Sequence, residues 1–336
     1  MLQFVPKSVF VPRRKEAGSP PVVPGQTFTV TDTIPERLGL DLPCDGEAEV
    51  LARLSWKPLT FEASLHSQGD GDVSIEFPSP LPQGIEHFDT VIMDWHYARD
   101  RRGQVKTAPA VVVLDILQGG NLVAGFIARV LSKHGFHAFV LHLPQTGRRR
   151  AIPHKHDWET FLPSLRQGAC DARRARDVVA ALPSVAGGVC LQGTSLGGFV
   201  ATMAGSIDGA FDANILALTG GDVYGVLNNG KMDAARVRQS LRDIGYTDEK
   251  LREFLWEIEP LRIAHRLDAK KTWLFSAKYD QVVPRSHGKL LAEAIGLEWS
   301  HHRHMTGCHY TCVINAHRFM SEMMRALPRR VEKKSA

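Results

Sequence analysis

Short apolar runs separated by helix-like stretches constrain the fold of this chain more than any other feature. Ala110-Val-Val-Val-Leu-Asp-Ile-Leu117, Ala138-Phe-Val-Leu-His-Leu-Pro144, Gly188-Val-Cys-Leu-Gln192, Ile215-Leu-Ala-Leu218 and Trp273-Leu-Phe-Ser-Ala277 are nearly continuous in apolar residues. That is the pattern of strands buried on both faces. Between them, Val123–His134 carries apolar residues at 123, 126, 127, 130 and 131, and a second helix is expected over about Ser164–Leu182. Strands alternating with helices predict the α/β class, with a mostly parallel central sheet and helices on both faces. Two earlier segments, Val73–Phe77 and Phe88–Trp95, alternate with period two and predict an antiparallel start.

The rest of the 336 residues divides around this pattern. Residues 1–71 are rich in Pro, Gly and charge and are expected to form an extension packed on the main domain. Within it, Glu47–Leu54 suits either a short strand or a helical turn. Residues 72–330 form the main domain. In its stretch at about 222–268 no buried strand is expected, and the amphipathic segments Ala234–Ile244 and Asp248–Glu257 suit a small helical cap. Residues 331–336 are a basic tail.

Composition excludes several functions. A net charge of +5, with no basic block interleaved with aromatics, argues against a nucleic-acid partner. No stretch approaches eighteen uninterrupted apolar residues, so no membrane span is expected. The first residues, Met1-Leu-Gln-Phe-Val-Pro-Lys7, lack the layout of a signal peptide. Cysteines at 44, 170, 190, 308 and 312 are odd in number and fit no disulfide framework, so a reducing cytoplasm is the expected location.

Chemistry concentrates at Gly193-Thr-Ser-Leu-Gly-Gly198, which follows the third buried run and opens the small-residue helix Phe199–Ser206. This is Gly-x-Ser-x-Gly in a strand–turn–helix setting, where a sharp turn lifts the serine above the sheet edge. A serine hydroxyl needs a base, and the base needs an orienting carboxylate. Asp280, in Tyr279-Asp-Gln-Val-Val-Pro284, and His309, in Gly307-Cys-His309, lie beyond later strands in the order Ser, Asp, His. Asp222, in Thr219-Gly-Gly-Asp222, is an alternative acid. His301, His302, His304 and His317 lie near His309 as alternative bases, and the crowding of His301, His302 and His304 with Cys308, His309 and Cys312 raises a zinc reading. Their spacing matches no metal motif. Asp115, on an apolar strand, is either a buried acid with a raised pKa or hydrogen-bonded scaffolding. Arg148, Arg149 and Arg150, on the loop after the Ala138–Pro144 strand, are either a solvated basic face or a contact for a substrate anion.

With these motifs the chain resembles the α/β-hydrolase superfamily from about residue 72 to 326. The serine turn, the Tyr279–Pro284 loop, Gly307-Cys-His309, His142-Leu-Pro-Gln-Thr-Gly147 and Glu259-Pro-Leu-Arg-Ile-Ala264 all look like family segments. One departure is Asp115-Ile-Leu-Gln-Gly-Gly120, where family members often carry His-Gly. The resemblance implies Ser195 as nucleophile, His309 as general base and then acid, and Asp280 as orienting carboxylate. The Leu196 N–H would be one oxyanion donor and Leu117, within 116–119, the other. It implies no cofactor and a small-molecule ester as substrate, cleaved through an acyl-enzyme. A thioesterase, lactonase, amidase or C–C bond hydrolase with the same triad stays open, as does a non-catalytic binding or scaffold module of this fold. The oligomeric state is left open.

Overall fold

The five apolar runs become the middle of a ten-stranded sheet in the computed structural model, which describes residues 25–39, 46–67, 70–117, 120–150, 157–312 and 316–328. The elements, in chain order, are β1 (Thr27–Thr31), α1 (Glu47–Arg53), β2 (Thr60–His66), β3 (Val73–Pro78), α2 (Glu86–Asp89), β4 (Thr90–His96), β5 (Ala108–Leu114), α3 (Leu122–Lys133), β6 (His137–His142), α4 (Trp158–Ala180) and β7 (Val185–Thr194). There follow α5 (Leu196–Ser206), β8 (Asn214–Ala217), α6 (Val223–Asn229), α7 (Asp233–Asp243), α8 (Asp248–Trp256), β9 (Thr272–Ala277), α9 (Arg285–Ile295), β10 (His302–Met305) and α10 (Ala316–Ala326). The sheet order is β1-β2-β3-β4-β6-β5-β7-β8-β9-β10. Pairings from β1 through β4–β6 are antiparallel, and those from β6 through β10 are parallel.

Side-chain alternation explains why the central strands are apolar throughout. Val111, Val113, Ala138 and Val140 pack with Ala124, Ile127 and Ala128 of α3 and Met320 and Met323 of α10 on one face. Val112, Leu114, Phe139 and Leu141 pack on the other face with Ala169 and Ala172 of α4 and Val200 and Ala201 of α5. Residues i and i+1 of one strand therefore serve two cores, which favours apolar side chains at both. Among the described residues no helix is long and apolar enough to cross a membrane.

Three local readings take definite form. Glu47–Arg53 is a helix, with Glu47 and Glu49 at its positive end. Helix α4 starts at Trp158, six residues before Ser164, where Asp157 caps it through the Glu159 N–H; Pro163, its sixth residue, lies inside the helix and supplies no N–H to it. The region read as an extension supplies two strands of the sheet itself, β1 and β2. Residues 1–24, the 151–156 part of the basic loop, Gln118 and Gly119, and the 331–336 tail lie outside the described residues.

Buried charge ties this added edge to the body. Arg174 of α4 grips the Asp32 carboxylate beyond β1 with Nε at 2.9 Å and a terminal nitrogen at 2.6 Å. Both side chains are nearly inaccessible to water. Thr33 donates its N–H and its hydroxyl to Asp177 of the same helix, at 2.8 and 2.6 Å. Truncating one partner of such a pair leaves the other charge buried and uncompensated. Arg174→Ala should therefore lower the unfolding free energy by about 3–5 kcal/mol in urea denaturation. A loss under about 1 kcal/mol, the scale of an exposed pair, would contradict this account.

Candidate active site

Loops at the C-terminal edge of the parallel strands carry most of the residues singled out from the sequence, on the side where such sheets place their sites. Ser195 follows β7 directly, with φ 53° and ψ −116°. This strained geometry costs about 1–3 kcal/mol and persists only because its surroundings enforce it. The glycines permit it. A side chain on Gly193 would strike the Gly197 carbonyl, and one on Gly197 would strike the carbonyls of Leu114 and Asp115. The turn thus packs against both α5 and the end of β5.

His309 lies between the two partners singled out for it. Its Nε2 is 2.9 Å from Ser195 Oγ, and its Nδ1 is 2.7 Å from Asp280 Oδ2. The other carboxylate oxygen, Oδ1, accepts from the N–H groups of Val282 and Val283, each at 2.9 Å. Two backbone donors therefore fix the plane of the carboxylate, which in turn fixes the imidazole. Asp222 is placed differently. It caps α6 through the Gly225 N–H at 2.9 Å and faces His287 Nδ1 at 3.6 Å.

Backbone donors near Ser195 are already sorted. Its own N–H goes to Ala217 O, and the Gly197 N–H goes to Asp115 O. Leu196, the first residue of α5, lines the cavity. Asp115 lies beneath the opposite loop and accepts from Ala124 N at 3.1 Å. Burial pushes its carboxyl up, against the pull of the Ile116, Ala124 and Asn121 N–H groups. Asp115 is thus both a buried acid with a raised pKa and an acceptor for backbone N–H groups around the loop that carries Leu117.

One expectation is corrected. Arg148 and Arg149 do not face the cavity. Arg148 reaches Asp94 Oδ1 at 2.8 Å and Ser74. Arg149 is fully buried on Asp171 at 2.8 Å and also donates to the carbonyls of His142 and Phe88. Arg150 donates Nε to Gln145 O at 2.8 Å. Carboxylates on β4 and α4 claim the first two guanidinium groups. None of the three lines the pocket.

The neighbouring histidines go separate ways. His301 bonds the Ala269 and Thr272 carbonyls and stacks on Trp273. His302 pairs with Ser276 Oγ at 3.0 Å. No group of three metal-ligating side chains gathers among the described residues. Burial, reinforced by His304 and Arg285, pushes His302 from 6.5 down to about 4. Its folded form thus resists a proton that the unfolded chain accepts. The stabilisation is fully present above 6.5 and is lost as pH falls through 4. The stability advantage of wild type over His302→Gln should therefore shrink between those two values in urea titrations. A pH-independent difference would contradict the assignment.

Sequence reasoning missed a pair at the cavity mouth. Tyr310 donates its hydroxyl to Asp233 Oδ2 at 2.6 Å, joining the histidine loop to the start of α7. Glu259 was noted only as part of a family segment. It is buried and accepts from the N–H groups of Asp222, Val223 and Leu261, pinning the start of α6. Its place between an amphipathic helix and a proline is a cap signal that the sequence did contain.

No protein-family model matches the chain, and no curated protein matches it in sequence. Solved structures do. An acetyl xylan esterase from Paenibacillus sp. R4 is 12% identical with a TM-score of 0.58, over 91% of this chain and 90% of that one. The alpha/beta hydrolase GrgF from Penicillium sp. sh18 is 14% identical with a TM-score of 0.55, over 75% and 96%. Pyrococcus horikoshii acylaminoacyl peptidase is 11% identical with a TM-score of 0.53, over 82% of this chain and 49% of that one. With the sheet order above, these likenesses establish that the chain has the fold of the α/β-hydrolase superfamily.

Proposed function

We propose that the protein is a serine hydrolase that cleaves carboxylic esters through an acyl-enzyme, with Ser195, His309 and Asp280 as its triad. The observation that carries this reading is the continuous chain Ser195–His309–Asp280, with contacts of 2.9 and 2.7 Å, at the wall of an apolar cavity of about 380 Å³. In the reaction, Ser195 Oγ attacks the ester carbonyl as His309 Nε2 takes its proton. Leu196 N–H, with Leu117 N–H from the loop after β5, receives the negative charge on the carbonyl oxygen. His309 then gives its proton to the departing alkoxide. It next draws a proton from water, whose oxygen attacks the acyl carbon, and returns that proton to Ser195 Oγ as the acyl–oxygen bond breaks and the acid leaves. Asp280 keeps the imidazole in the tautomer that presents Nε2 to the serine. No cofactor takes part in these steps.

Rapid mixing with p-nitrophenyl butyrate tests the two-step course. Where deacylation is the slower step, about one equivalent of p-nitrophenol per protein should appear in a burst before the steady rate. Release no faster than in buffer would contradict the proposal. The name of the first neighbour above, an esterase, is consistent with this reading.

A further inference from the structure

The cavity beside Ser195 reaches over the edge of the sheet onto both faces. On one side its wall is made by Val123 and Phe126 of α3 and Phe319 of α10. On the other it is made by Leu162 of α4, Val226 of α6 and Leu255 of α8. Helices α3 and α10 belong to one core and α4 to the other, so the two walls are independent pieces of the fold. Ser195 sits between them, at the tip of β7.

Side chains able to hydrogen-bond strongly are few on this wall, and those among the described residues are already paired. Thr194 Oγ1 accepts from Gln192 at 2.8 Å, and Ser195 and His309 hold each other. Tyr310 donates to Asp233, whose second oxygen accepts from Arg236 at 2.9 Å. No arginine or lysine among the described residues lines the cavity. An anionic group entering either side would lose its water and meet no cationic partner on these walls. An uncharged alkyl group would instead replace water against apolar walls.

We infer that the substrate is an ester with an uncharged apolar group on each side of the scissile bond, the acyl arm on one wall and the alcohol arm on the other. This rests on the serine-hydrolase reading above and deepens it. Hydrolysis breaks the acyl C–O bond. Water supplies the hydroxyl of the acid and the proton of the alcohol, so each arm leaves as a separate apolar product. The arms are read by two walls, and each can be blocked alone.

The test uses four esters followed by acid release: ethyl acetate, hexyl acetate, ethyl hexanoate and hexyl hexanoate. Fluorophosphonate labelling of Ser195 is measured in parallel. Wild type should prefer hexyl hexanoate to ethyl acetate in kcat/KM by ~10-fold or more, with each long arm contributing. Val123→Trp and Leu227→Trp change half-exposed wall positions on opposite sides. Each should remove the gain from one arm and spare the other, with urea denaturation confirming that both variants fold. Hexyl esters ending in a carboxylate on either arm should be turned over at least ~10-fold more slowly than hexyl hexanoate. A labelled Ser195 with equal rates for all four esters, a preference for ethyl acetate, or no turnover of hexyl hexanoate would overturn this inference alone. So would two tryptophan variants that lose the same arm. Absence of both labelling and turnover would bring down the serine-hydrolase reading beneath it.

Discussion

Ser195→Ala should lower kcat for ester hydrolysis on the order of 10⁶-fold while leaving the fold in place. The size follows from what the hydroxyl does: without it no acyl-enzyme forms, and His309 has no serine hydroxyl to deprotonate. Residual activity about 10³–10⁴-fold above water is expected, because the donors near Leu196 and Leu117 can still stabilise attack by water. Removing the hydroxyl also deletes one bond, to His309 at 2.9 Å, at a strained turn. Urea denaturation should therefore show little change in stability. A variant that retained a tenth of wild-type kcat would place the nucleophile elsewhere.

Asp280→Asn should lower kcat about 10⁴-fold, whereas Asp222→Asn should leave it within a few-fold of wild type. The Asp280 carboxylate accepts from Val282 and Val283 with one oxygen and from His309 with the other. An asparagine would keep its oxygen on the two backbone N–H groups and turn its NH₂ toward Nδ1. Nδ1 must then accept rather than donate, which forces the proton onto Nε2 and removes the base from Ser195. At Asp222, asparagine retains an oxygen for the Gly225 N–H and can still cap α6. Equal losses in the two variants would mean that Asp222 supports the imidazole in the reacting state.

Much of this fold is written in the sequence because the parallel strands are buried on both faces, and few other patterns read that way. The Gly193–Gly198 turn is equally plain, since its glycines have no alternative in so crowded a bend. What stayed hidden has physical causes. Strand β2 buries Phe61, Ala63 and Leu65, but two small residues, Ala63 and Ser64, dilute its alternation. Strand β10, His302-Arg-His-Met305, has almost no apolar signal, because an edge strand can be held by backbone pairing to β9. Arg148 and Arg149 look like a solvated patch locally. Their partners Asp94 and Asp171 lie on other elements that only the fold brings near. Tyr310 and Asp233 are likewise 77 residues apart, and no local pattern links them.

The most direct measurement of the central claim is labelling of wild type and Ser195→Ala with a fluorophosphonate probe, followed by mass mapping of the modified peptide. The probe reacts with a serine whose hydroxyl is activated by a neighbouring base, whatever the natural substrate. Stoichiometric modification at Ser195, absent from the variant, is the predicted result. No modification of wild type, or modification that persists in Ser195→Ala, would contradict the assignment of Ser195 as an activated nucleophile.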